Sequence, residues 1–235
     1  MFKQKLIILG LMAAFSTTAF SFSLDSISKK AAIANEVCKY AGKEISEKNL
    51  VSIQKGILGD TKKVSQNYLG AQAKLANALN LKEAAATIEA QNKLLKKGNI
   101  NADKLDKTTT VGADATKAIE AQLKKVEQLT ADQKKKVSES LGQYGDAALG
   151  TALVAGKTVL ASGAVLCVAS NDLAKAGKIK SNYSYLIDAA STLPGFSKDL
   201  ITTGFSYIEL LKSFDVDTSV LEKKLKQASK VKIDK

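Results

Sequence analysis

Residues 60–98 read DTKKVSQNYLGAQAKLANALNLKEAAATIEAQNKLLKKG, and their spacing decides the fold class. Val64, Tyr68, Ala71, Leu75 and Leu79 fall three or four residues apart, and beyond Asn80 the pattern resumes at Leu81, Ala85, Ile88 and Leu95 before Gly98. Apolar residues at a helical period with Lys, Gln and Glu between them make amphipathic helices. Asn80 reads as an interruption and Gly98 as a stop, while Gly59 followed by Asp60 reads as the end of an earlier helix and the N-cap of this one. That earlier helical pattern is carried by Ile27, Ala31, Ala34 and Cys38, then Ile45, Ile53 and Ile57.

The rest of the chain extends the pattern. One proline in 235 residues, with abundant Ala, Leu, Lys, Gln and Glu, favours helix in nearly every window, and the evenly spaced turn signals of a sandwich or barrel are missing. The expected fold is all-α, a multi-helix bundle. Apolar and charged residues make up 45% and 25% of the chain, the ordinary range for a soluble globular protein able to bury a substantial core. Residues 99–101 and 107–112, with the run Thr108, Thr109, Thr110, bracket an expected connector ahead of a helix over about 113–129.

Leu129, Thr130, Ala131, Asp132 and Gln133 then spell Leu-Thr-x-x-Gln. Physically this is a capping box, in which the Thr130 hydroxyl accepts from a first-turn amide and Gln133 reaches back to the Thr130 amide. The same spelling resembles the motif of the Spy and CpxP family of small helical periplasmic stress proteins, and the resemblance implies binding of unfolded client proteins.

Residues 147–169 hold one charge, Lys157, and small residues at Gly150, Gly156, Ser162 and Gly163. Their length allows a membrane span, but a lysine near the centre of one costs about 2.5–3.5 kcal/mol on the insertion scale. The segment reads as the central helix of the bundle, apolar all round, with small residues that let neighbours approach. A conditionally inserting segment and an exposed partner surface are the other two readings. A polar connector follows through Lys180, and the helical pattern resumes at Tyr183, Leu186, Ile187 and Ala190, with Pro194 and Gly195 as a stop. Phe196, Leu200, Ile201, Phe205, Ile208 and Leu211 make the next stripe, and Asp217 is the expected cap of a last helix carrying Val220, Leu221, Leu225 and Ala228. Tyr183, Tyr185, Phe196, Phe205, Tyr207 and Phe214 read as core aromatics.

Composition removes many chemistries. All 35 basic residues are lysine, set against 23 acids for a formal charge of +12, and histidine and tryptophan are absent. Without histidine there is no ordinary base poised near neutral pH and no His-based metal site. Without arginine there is no bidentate fork for phosphate or carboxylate. Ala155, Gly156, Lys157 and Thr158 look like the end of a phosphate-binding loop, but the glycine required five positions before Gly156 is Thr151. Asp215 and Asp217 read as turn and cap residues. No catalytic residue, metal site or cofactor is expected.

Residues 1–23 have the form of a secretory signal: Lys3 and Lys5, an apolar run over 6–15, and small residues before a cleavage point after Ser21 or Ser23. Export to the periplasm or beyond makes Cys38 and Cys167 a candidate disulfide, the alternative being two separate buried thiols. The remainder, 24–235, reads as a single helical domain of three parts: basic amphipathic helices over 24–141, the apolar and aromatic-rich helices over 142–221, and a basic tail over 222–235. Lysine doublets at 29–30, 62–63, 96–97, 124–125 and 223–224 punctuate it, with a triplet at 134–136. Lys124, Lys125, Lys134, Lys135 and Lys136 are the candidate contacts for an anionic envelope surface.

The expected function is that of an exported, non-enzymatic helical binding protein of the bacterial envelope, chaperone-like or bound to anionic envelope surfaces. Its partners would be protein or an anionic surface, with transient membrane contact and no nucleic acid. A secreted membrane-active protein that uses residues 147–169 is the alternative.

Overall fold

The computed structural model describes residues 47–171 and 176–231. The signal segment, the helical positions Ile27, Ala31, Ala34 and Ile45, and Cys38 lie outside the described residues. Seven helices and no strand occur among those described, an all-α multi-helix arrangement as expected. They are α1 (Glu47–Ala78), α2 (Lys82–Lys96), α3 (Ala102–Leu123), α4 (Ala131–Asn171), α5 (Ala176–Asn182), α6 (Ser184–Lys212) and α7 (Ser219–Ala228).

Local sequence explains several boundaries. Asn80 ends α1 in a left-handed conformation, φ 63°, with its amide donating to the Asn77 carbonyl and the Leu81 amide to the Ala76 carbonyl at 2.8 Å. This pair of bonds is a Schellman cap, in which asparagine substitutes for the usual glycine. The side chain of Asn101 accepts from the Lys104 amide at 3.0 Å and starts α3. Ahead of α4 the capping box forms as read: the Thr130 amide donates to Gln133 Oε1 at 3.0 Å, and the Gln133 amide to Thr130 Oγ1 at 3.2 Å.

Four expected boundaries are overturned. Gly59 and Asp60 lie inside α1, where Leu50, Ile57, Thr61, Val64 and Tyr68 are buried at unbroken helical spacing. The expected 107–112 connector is part of α3, which begins at Ala102 and ends at Leu123 rather than near 129. Its threonines fit a helix because Thr108 Oγ1 donates to the Lys104 carbonyl, and Thr109 and Thr110 donate to that of Asp106. Residues 176–180 of the expected polar connector belong to α5. Pro194 lies inside α6. It forfeits one backbone bond, yet Leu186, Ala189, Leu193, Phe196 and Leu200 keep one buried face on both sides of it.

The chain divides into two compact units. In the first, residues 47–57, 155–171 and 176–192 bury Leu50, Ile57, Val165, Cys167, Ile179, Tyr183 and Leu186. Gln54 Nε2 donates to the Asn182 carbonyl at 3.2 Å and ties α1 to the end of α5.

The second unit comprises Leu58–Val154 and Leu193–Val231. Here α2 runs antiparallel to α1, with Asn77 Nδ2 bonded to Glu89 Oε1, Asn92 Nδ2 to the Gln66 carbonyl and Lys62 Nζ to the Lys96 carbonyl. The first part of α4 is also antiparallel to α1, since Gln133 lies at Ala78 and the Tyr68 and Tyr144 rings meet 5.9 Å apart. Tyr68 also meets Phe196 at 5.3 Å, and Tyr144 meets Tyr207 at 5.5 Å, all edge to face. Edge-to-face rings contribute about 0.5–1.5 kcal/mol each beyond burial. Close approach is bought by glycine at two places. A methyl group at Gly112 of α3 would overlap the Tyr68 ring and hydroxyl, and one at Gly204 of α6 would lie 2.7 Å from Leu225 Cδ1 of α7.

Candidate functional site

The most polar interior of the second unit is built around Gln72. Its Nε2 donates to Thr116 Oγ1 at 3.0 Å and to the Tyr68 hydroxyl at 3.4 Å, while its Oε1 accepts from the Tyr207 hydroxyl at 3.1 Å. The Tyr144 hydroxyl donates to the Leu200 carbonyl at 3.0 Å. Burial holds all three phenols above their ordinary value, Tyr144 well above it. Neutral phenols whose protons are committed to internal acceptors join α1, α3, α4 and α6, and this cluster is a structural core. Aromatics expected inside are mostly there: Tyr183, Phe196, Tyr207 and Phe214 are buried, whereas Phe205 is 38% exposed. No group of three or more His, Cys, Asp or Glu that could hold a metal ion occurs among the described residues.

The five candidate surface lysines do gather, on the α3–α4 connector and the first turn of α4, but their surroundings are mixed. Lys136 Nζ is 2.6 Å from Asp132 Oδ2, and Lys134 Nζ is 3.8 Å from Asp215 Oδ2 of the α6–α7 turn. Ser138 Oγ donates to the Asp217 carbonyl, bringing that turn's second aspartate alongside. Asp215, at φ 53°, reverses the chain, and Asp217 Oδ1 accepts from the Ser219 amide at the start of α7. Asp215 is the turn residue expected, whereas the N-cap position of α7 is Thr218, and Asp217 bonds the first helical amide from one residue ahead of the expected place. Glu127, Asp132, Glu139, Asp215 and Asp217 balance the five lysines, so this end of the unit has no net charge. Lys124, Lys125 and Lys135 are exposed and have no carboxylate partner among the described residues.

Residues 147–169 lie within α4 as expected, but they are not buried all round. Ala147, Ala148, Thr151, Ala152, Ala155, Thr158 and Val165 face inward, whereas Leu153 is 49% exposed and Lys157 is exposed on the same side. The stretch 155–158 is helix interior, which removes the phosphate-loop geometry. Cys167 is buried near the end of this segment, and Cys38 lies outside the described residues.

A second lysine cluster went unread in the sequence, at the α2–α3 turn. Lys62 Nζ donates to the Gly98 carbonyl at 2.8 Å and to the Lys96 carbonyl at 3.2 Å, and Lys104 Nζ donates to the Asn99 carbonyl at 2.8 Å. These bonds satisfy carbonyls left open where α2 ends. They also bring α1 and α3 lysines beside Lys93, Lys96, Lys97 and Lys107, all exposed. The doublets at 62–63 and 96–97 were visible in the sequence; the antiparallel pairing that joins them was not. Comparison with known proteins gives no match: no protein-family model, curated protein or solved structure matches this chain.

Proposed function

We propose that the chain is an exported, non-enzymatic helical binding protein of the bacterial envelope, which attaches to anionic surfaces through unpaired lysines. One observation carries this reading. Lys93, Lys96, Lys97, Lys107, Lys124, Lys125 and Lys135 are exposed and have no carboxylate within ion-pair distance among the described residues. Gln72, Tyr68, Thr116 and Tyr207 of the interior, by contrast, bond one another. Export rests on the form of residues 1–23 and leads to the periplasm or the exterior. In that setting a Cys38 to Cys167 disulfide belongs to the same proposal, supported by the lack of a free cysteine among the described residues.

Attraction through exposed ammonium groups is screened by salt, because the Debye length shrinks from about 10 Å at 0.1 M to about 3 Å at 1 M. The processed protein should therefore cosediment with anionic vesicles at low ionic strength, release at high ionic strength, and ignore neutral vesicles. Binding that is insensitive to salt sinks the reading, as does leakage of vesicle contents at sub-stoichiometric protein.

That leakage is the signature of the alternative, a membrane-active protein that inserts residues 147–169. One observation favours it: α4 is the one described helix long and apolar enough to cross a membrane, and only 44% of its most apolar window is buried. Lys157→Leu should then increase insertion, and unchanged partitioning of that variant ends this alternative.

A further inference from the structure

We propose that the α2–α3 turn is where the protein meets an anionic lipid bilayer, with Lys93, Lys96, Lys97 and Lys107 on headgroup phosphates and Leu94 entering the interface. The inference rests on the anionic-surface reading and adds a place and a ligand class. Charge first separates this turn from the connector expected in the sequence. Around it stand Lys62, Lys63, Lys93, Lys96, Lys97, Lys104 and Lys107, against Asp60, Asp103 and Asp106, a net charge of +4. The α3–α4 connector and the start of α4 together carry five lysines, matched by Glu127, Asp132 and Glu139 along the same stretch and by Asp215 and Asp217 of the α6–α7 turn. A surface with no net charge gives an anionic plane little to attract beyond a Debye length.

Shape and composition then separate lipid from a soluble polyanion. Leu94 is 58% exposed, the highest value among the exposed large apolar side chains. It sits beside Lys93 and within one helical turn of Lys96 and Lys97. A single exposed leucine is ordinary, but one set among unpaired lysines has the pattern of an interfacial contact, in which the apolar group enters the headgroup boundary and the cations stay on the phosphates. A soluble polyphosphate chain offers Leu94 nothing to bury against. The bonds of Lys62 and Lys104 to the Lys96, Gly98 and Asn99 carbonyls hold the turn in place, so its charges are presented without first being ordered.

Partitioning of the processed protein between buffer and vesicles tests this, with phosphatidylcholine vesicles carrying phosphatidylglycerol or not. Each lysine close to an anionic surface contributes a factor of about five, so Lys93→Gln, Lys96→Gln and Lys97→Gln together should weaken binding by up to about a hundredfold. Lys124→Gln, Lys125→Gln and Lys135→Gln together should weaken it by less than about tenfold. Leu94→Ser should weaken vesicle binding about tenfold and leave binding to inorganic polyphosphate unchanged. Equal losses in the two triple variants overturn the site but leave the anionic-surface reading standing. A wild-type protein that ignores anionic vesicles overturns both. A Leu94→Ser variant that binds vesicles as wild type does, or a wild type that prefers polyphosphate, overturns the assignment to lipid. All substituted side chains are exposed, and unchanged helical circular dichroism verifies that each variant folds.

Discussion

Raising the pH should unfold this protein through three tyrosines. Tyr68 is 3% exposed and Tyr144 and Tyr207 are fully buried. Burial is the largest cause that raises each phenol. Tyr144 and Tyr207 are also donors to the Leu200 carbonyl and Gln72 Oε1, so ionisation would set a phenolate against an oxygen acceptor. The unfolded chain ionises its phenols around pH 10, whereas the folded chain holds these three neutral further up. A group whose folded pKa is raised stabilises fully below the unfolded value, and that contribution is lost as the pH climbs toward the folded value. In that window each phenol still neutral in the folded chain removes about 1.4 kcal/mol per pH unit, and the three together at most about 4 kcal/mol per unit. A stability at the low end of the usual range, about 5 kcal/mol, is exhausted no sooner than about one unit above pH 10. Tyrosinate absorbance and far-ultraviolet circular dichroism, followed on the same samples, should show these phenols ionising in one step with loss of helix. Tyr144→Phe should make the fall in stability shallower by about one third. Ionisation of all six tyrosines with helix content intact would refute the reasoning.

Gly112→Ala gains helix propensity of about 1 kcal/mol but drives a methyl group into Tyr68, so a net loss of about 1–3 kcal/mol is expected in denaturant titrations. Gln133→Ala should cost about 1–2 kcal/mol, because one side chain accepts from the Thr130 amide and donates to the Ala78 carbonyl; Gln133→Glu keeps the first bond and should recover part of the loss. The Ser219 hydroxyl and amide hold the Asp217 carboxyl below its usual range, so what Asp217 contributes is present above the ordinary carboxylate pKa and fades as pH falls through the lowered one. A side-chain carboxyl NMR titration should give a depressed midpoint that Ser219→Ala moves back toward the ordinary value.

What could be read from the sequence was what local chemistry decides. The capping box at Thr130 and Gln133, the Asn80 interruption and the Asp215 turn each depend on a few consecutive residues, and each is present; Asp217 misses the N-cap position by one residue. Gly59, the threonine run with Gly112, and Pro194 misled because they are weak helix residues whose penalty is overridden by packing. An internal proline costs about 3 kcal/mol, while burying a Leu or Phe side chain gains about 1.5–3 kcal/mol. Near Pro194, Leu193, Phe196 and Leu200 are all buried, which suffices. Gly112 reads as a loop signal, but its role is to admit Tyr68 from another helix. No pattern within residues 107–112 could carry that information.

The lysines show the same limit in the candidate surface. A chain with no arginine must use ammonium groups for every structural task that needs a cationic donor, and it does: Lys62 and Lys104 bond carbonyls at the α2–α3 turn, and Lys224 bonds the Gly142 carbonyl and pairs with Asp146 at 2.6 Å. A run of lysines in sequence therefore does not measure the charge offered to a partner. The densest run, Lys134 to Lys136, begins α4 where the next turn supplies aspartates, while the less conspicuous Lys93, Lys96 and Lys97 end α2, the end of a helix that favours cations. Because α2 folds back on α1, its cationic end gathers Lys62 as well, and only then is the excess charge local enough to act across a Debye length. Whether surface charge or helix insertion governs attachment is therefore decided most cleanly by removing charge at that turn, where no buried helix has to move for an effect to be seen.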